Sequence, residues 1–114
     1  RLAAKTYQRS GNKLHACGFP EYLGGKYREL PVDFLKTIGP DIQCTAPIIP
    51  YPYGYAQAYG GLSGGPLITM KNGEVNAITY YGSLSEDKMK IVIHGISSMI
   101  LIEMLKEIVG NKGY

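Results

Sequence analysis

Asn72-Gly73 stands between two β-rich runs, Pro66–Met70 and Glu74–Tyr81, in the stretch GPLITMKNGEVNAITYYGS. An Asn-Gly pair adopts the left-handed dihedrals that a tight hairpin needs, so this stretch reads as two antiparallel strands joined by a short turn. That hairpin sets the character of the rest. KLHACGF (Lys13–Phe19) alternates apolar and polar residues and stops at Pro20, which cannot donate to a ladder. Gly24-Gly25 marks a turn, and KYRELPVDFL reads as a strand interrupted at Pro31. DIQCTAPII (Asp41–Ile49) and KMKIVIHGI (Lys88–Ile96) read as further strands. Between them PYPYGYAQAYGG (Pro50–Gly61) is too rich in proline and glycine for a helix or a central strand, and is expected to be a long surface loop that carries function.

The end of the chain has a different period. In MILIEMLKEIVG, apolar residues fall at 99, 101, 102, 105, 108 and 109, with Glu103, Lys106 and Glu107 opposite. Ser97 or Ser98 is placed to cap the start and Gly110 to end the helix. The residues therefore imply a small closed barrel or sandwich of short strands with one terminal amphipathic helix.

A chain of 114 residues, 45% of them hydrophobic, suffices for one domain (1–114) with a modest core. No apolar run reaches the ~18–20 residues that span a bilayer, and no basic-then-apolar leader is present, so no membrane association is expected. The chain starts at Arg1, not Met, which reads as a fragment or a processed product. The net charge of +3 comes from scattered lysines and arginines, not from a basic stripe interleaved with aromatics, and no nucleic-acid partner is expected. Cys17 and Cys44 are compatible with a bridge, with free thiols or with plain packing. With His15 and His94 they match no zinc-ligand spacing, and neither a metal nor a cofactor is expected. Ten tyrosines against two phenylalanines and no tryptophan suit a sheet with half-wet faces or a substrate groove, because each ring packs while its hydroxyl seeks a partner.

The chemistry concentrates in YGGLSGGPLIT, Tyr59–Thr69, where one serine sits among four glycines. Acyl transfer by serine needs a hydroxyl on a sharp turn and backbone N–H groups aimed at the oxygen that becomes negative. Glycines permit such a turn and leave room for substrate. Gly61 and Ser63 would supply the donors, and Gly64 and Gly65 would turn the chain into the next strand. The plain reading is a glycine-rich loop with a bystander serine. Because a strand follows, the segment differs from the Gly-x-Ser-x-Gly elbow that leads into a helix.

GLSGGPLI, a hairpin at NG, AITYYGS, a further strand and a final helix together resemble the second half of chymotrypsin-like serine proteases, whose pattern is Gly-Asp-Ser-Gly-Gly-Pro-Leu. ACGFP resembles the Gly-Tyr/Phe-Pro strand of bacterial and viral members. The likeness runs in order from about Leu14 to Val109. It implies an all-β fold, a Greek-key antiparallel β-barrel with a C-terminal α-helix. It implies Ser63 as nucleophile, and Gly61 and Ser63 as the oxyanion-hole amides. Thr79, Tyr80, Tyr81 and Gly82 match the edge strand that pairs with substrate backbone. Gln57 and Ala58, facing Thr79 and Gly82, match the walls of the primary specificity pocket. As none is charged, an uncharged, small or aromatic side chain before the cut is implied.

Two departures follow. Leu62 replaces the usual Asp or Asn, which removes the salt bridge to a freshly cut N-terminus. The family's His and Asp belong to a first barrel with no counterpart in this sequence. His15 and His94 fall on strands away from the implied cleft and are expected to be packed, and Asp33, Asp41 and Asp87 to be turn or surface residues. The first expectation is the C-terminal half of a serine endopeptidase, inactive by itself. It would act on a peptide or polyprotein substrate once joined by an N-terminal barrel, on another chain or segment, that carries the base. The alternative is an inactive protease-like fold serving as a coat, scaffold or binding module. A third reading is a small β domain whose glycine-rich loop binds a peptide or small molecule.

Overall fold

The computed structural model describes residues 1–3, 13–49, 59–69 and 72–111. Six strands close into one antiparallel barrel: β1 (Lys13–Gly18), β2 (Arg28–Ile38), β3 (Asp41–Pro47), β4 (Pro66–Ile68), β5 (Val75–Leu84) and β6 (Lys90–Ser97). Their order around the barrel is β1-β2-β3-β6-β5-β4. A 3₁₀ turn, Glu21–Leu23, follows β1, and helix α1 spans Ser98–Asn111. Of the two architectures open to the sequence, the closed barrel is the one formed.

Alternation builds the core. On β3, Ile42, Cys44 and Ala46 point inward, and on β6 Ile91 and Ile93 do; all are buried with Leu14, Ala16, Val32, Phe34, Leu67 and Ala77. Burying such side chains contributes about 1.5–3 kcal/mol each, which is what closes a sheet of this size. Cys17 and Cys44 are both buried free thiols. Burial pushes the Cys44 thiol up to about 12, so it packs as a small apolar residue.

Two expectations about strands are corrected. Pro31 does not interrupt β2: it pairs with His15 of β1, inside a ladder that runs from Lys13–Asp33 to Gly18–Arg28. The β2–β3 ladder begins only at Asp33–Thr45, so among the described residues Pro31 has β1 as its one neighbour, and its missing N–H breaks no bond to β3. The second strand of the Asn-Gly hairpin runs further than Tyr81, to Leu84. The hairpin itself closes where the sequence places it, with Gly73 at φ +67 and bonds from Gly73 N to Thr69 O and from Thr69 N to Glu74 O. The strand read as Pro66–Met70 is described as Pro66–Ile68, and Met70 lies outside the described residues.

A bulge shapes β5. Thr79 pairs with Gly95 and Tyr81 with His94, so Tyr80 is one residue more than β6 supplies. Two consecutive tyrosines then share the outer face, and their rings stack 6.4 Å apart at 26°. By the same register Thr79, Gly82 and Leu84 stand opposite Gly95, Ile93 and Ile91.

Helix α1 begins as expected: Met99 N–H donates to Ser97 Oγ at 3.2 Å, an N-cap. Ser98 Oγ donates to Ala3 O at 2.9 Å, tying the helix root to the N-terminal residues. Those residues are also bound to β5, through Ala3 N to Val75 O and Val75 N to Arg1 O. The helix runs to Asn111, one residue past Gly110. Its apolar face is only partly covered, and Met104, Leu105, Ile108 and Val109 are exposed.

Candidate functional site

The turn around Ser63 is seated by its neighbours before it offers anything to a ligand. Leu62 is 2% exposed and belongs to the core cluster. It anchors the turn from beneath, as does Tyr59, whose ring is buried and whose hydroxyl donates to the Pro47 carbonyl at the end of β3. Burial pushes the Tyr59 hydroxyl up to about 12, which keeps it a donor. Tyr22 packs edge-on against that ring at 5.2 Å. A leucine at position 62 thus has a positive role: apolar burial holds the turn.

Backbone bonds then fix its path. Phe19 N donates to Gly61 O at 3.0 Å and Glu21 N to Gly60 O at 2.9 Å, so the loop lies on the exit of β1. Gly64 N donates to Thr79 O at 2.7 Å and Thr79 N to Gly65 O at 2.9 Å, so its far side lies on β5. Two glycines are needed for this closeness. Gly61 has φ +93, and a Cβ there would collide with the Phe19 carbonyl. A Cβ on Gly65 would collide with the Cys17 carbonyl. Both obstacles are backbone, which has little freedom to yield.

What remains after these bonds is informative. The N–H groups of Gly61 and Ser63 take part in no hydrogen bond among the described residues. Ser63 itself is exposed, on the crest of the turn. Among the described residues the turn thus leaves a hydroxyl exposed and two amides without a partner. That is the inventory an acyl-transfer site requires of this segment.

The other site residues separate into groups. Thr79 lies against the Ser63 turn and is 4% exposed, and its Oγ1 has no hydrogen-bond partner among the described residues. Gly82 is half-buried on the same side of β5 and brings no side chain into that corner. Tyr80 and Tyr81 are exposed, and their rings are drawn to His94 on the outer face, at 6.2 Å and 5.3 Å. Gln57 and Ala58 lie outside the described residues. The edge of β5 bears on strand addition. Among the described residues β4 pairs with β5 from Pro66–Ile78 to Ile68–Val75, and beyond Thr79 the strand is laddered to β6 alone. Among the described residues, 80–84 offer an open edge that begins beside the Ser63 turn.

The histidines stand where the sequence places them, but one is more than packed. His15 is half-buried on β1, its Nδ1 without a partner among the described residues. His94 is bonded to Asp41 at 2.9 Å on the outside of the barrel, so Asp41 is not a plain surface residue. Asp33 is exposed and near Lys13, and Asp87 holds a turn by accepting from Ser85 Oγ and Met89 N. Neither histidine nor any carboxylate bonds Ser63 Oγ among the described residues. The His94–Asp41 pairing escapes one-dimensional reading because 53 residues separate the two, and only the β3–β6 register joins them. No known family's model, no curated protein and no solved structure matches the chain.

Proposed function

We propose that this chain is the nucleophile-bearing half of a chymotrypsin-like serine endopeptidase, with Ser63 as nucleophile and the Gly61 and Ser63 amides as its oxyanion hole. The observation that carries the reading is the turn itself, in which an exposed hydroxyl and two amides unbonded among the described residues are held in place by Leu62, Phe19 and Thr79. Strand order supports it as well. β1, β2 and β3 are sequential neighbours, and β4, reached from β3 through residues 48–65, lies beside β1, an order that suits the Greek key this reading calls for. The open edge of β5 suits an extended peptide, and the Thr79 hydroxyl and bare Gly82 suit an uncharged side chain before the cut.

A serine hydroxyl without a base is a weak nucleophile. The reading therefore requires a His and an Asp from an N-terminal barrel, on another chain or an upstream segment. The test is the assembly of this chain with that barrel, treated with a peptidyl phosphonate. Labelling is expected at Ser63, and Ser63→Ala is expected to lower peptide hydrolysis at least ~10³-fold. Full activity in Ser63→Ala, or a probe that leaves Ser63 untouched, overturns the reading in favour of a non-catalytic protease-like module.

A further inference from the structure

On the outer face of the barrel, side chains from three strands form an unbroken line of hydrogen bonds. His94 Nδ1 lies 2.9 Å from Asp41 Oδ2, and Ser83 Oγ lies 3.4 Å from His94 Nε2. β3 supplies Asp41, β6 supplies His94 and β5 supplies Ser83. The register makes this possible: His94 sits between Gln43 on one side and Tyr81 on the other, and the Tyr80 bulge places Ser83 opposite Val92, one step away.

For a neutral His94 ring the directions of the bonds follow from its partners. Asp41 also accepts from Gln43 Nε2 at 2.9 Å and from the Tyr80 hydroxyl at 2.8 Å. A carboxylate only accepts, so the proton of a neutral His94 ring sits on Nδ1. Nε2 is left with its lone pair toward the Ser83 hydroxyl. The His94 and Asp41 side chains are 16% and 21% exposed, shielded enough for the line to hold and open enough for a ligand to reach it. Ser83 is half-buried, and the exposed rings of Tyr80 and Tyr81 form an apolar wall beside His94. A hydroxyl, an imidazole base and an orienting carboxylate in this sequence of bonds make a nucleophilic relay, recognised by geometry whatever the fold around it.

We propose that Ser83 is a second nucleophile of this chain, with His94 as its base and Asp41 as the positioning residue, and that it takes acyl groups from activated esters and thioesters of flat or apolar character. Ser83 Oγ bonds to the carbonyl carbon as its proton passes to His94 Nε2. The bond to the leaving alcohol or thiol then breaks, and that group leaves with the proton from Nε2. Attack by water on the acyl-Ser83 ester, with its proton moved through the same nitrogen, restores the serine. Ser83 lies on a strand, where neighbouring amides alternate in direction and do not curl toward one oxygen. Acylation is therefore expected to accumulate and not to turn over quickly.

The proposal does not depend on the role given to Ser63, and the experiment keeps the two apart. The full chain carrying Ser63→Ala is treated with p-nitrophenyl acetate, and the acetylated residue is mapped by mass spectrometry. A single acetyl group is expected on Ser83. His94→Gln is expected to slow its formation ~10²–10⁴-fold, the usual worth of a positioned base, while background acetylation of lysines serves as the internal standard. Asp41→Asn is expected to slow it at least ~10-fold and to shift the His94 ring ¹⁵N resonances away from the Nδ1-protonated form. If His94→Gln fails to fold, Asp41→Asn decides by the same two readouts. Acetylation confined to lysines and the N-terminus, or a Ser83 rate unchanged by the His94 or Asp41 substitution, overturns the proposal.

Discussion

Gly65 shows how little room the candidate site leaves. Its missing side chain is what lets the turn approach the Cys17 carbonyl while Gly65 N bonds Leu62 O at 3.0 Å. Gly65→Ala would drive carbon into backbone, and an overpacked site of this kind costs about 1–3 kcal/mol. Thermal unfolding of the variant is expected to show that loss, together with a Ser63 turn displaced from Thr79. Asp41 makes a second prediction at this scale. Burial works against its charged form, but hydrogen bonds from His94, Gln43 and Tyr80 outweigh burial and hold the carboxyl below its ordinary value. A carboxylate depressed by folding stabilises fully above its unfolded value and loses that contribution as the pH falls through the folded one. Denaturant midpoints measured downward from about pH 5 are expected to decline below about pH 4, and more gently in Asp41→Asn. The exposed serine among glycines was legible in the sequence, since glycine patterns report tight backbone directly. The bond from His94 to Asp41 was not, because nothing near either residue along the chain announces the other.

Among the elements, α1 differs from the strands in what holds it. Leu67 of β4 is fully buried, whereas Leu105 of α1 is 54% exposed. Leu67→Ala is expected to cost about 2–5 kcal/mol through the lost transfer energy and the cavity, and Leu105→Ala less than about 1 kcal/mol. Urea unfolding of the two variants side by side checks this. The 3.6-residue period identified the helix and its Ser97 cap from sequence, because amphipathicity is a property of the segment itself. What covers the apolar stripe is a property of neighbours, and the period is silent about it. The same division explains β2. A proline reads as a break, but whether its absent N–H matters depends on which strand lies beside it, and at Pro31 β1 alone does among the described residues. The bulge at Tyr80 belongs here as well: two tyrosines in sequence look like one inward and one outward residue until the register with β6 is known.

Across the whole molecule the barrel is unevenly closed. β3 pairs with β6 along all of Asp41–Pro47, and β5 with β6 from Ala77 to Leu84. Among the described residues β1 and β4 meet only at His15–Ile68 and Ala16–Leu67. Local opening follows the weakest pairing, so native-state hydrogen exchange is expected to be slowest in β3, β5 and β6 and fastest along the β1–β4 seam. The loop bearing Ser63 bridges the exit of β1 to β5 across that region, and its exchange should track the seam. The pinning of Ala3 to Ser98 has a different outcome. Residues 1–3 are clasped between β5 and the root of α1. A pull on those residues would therefore be felt at once along β5 and at the foot of the helix, which makes the N-terminal segment a brace between two elements that are far apart in sequence.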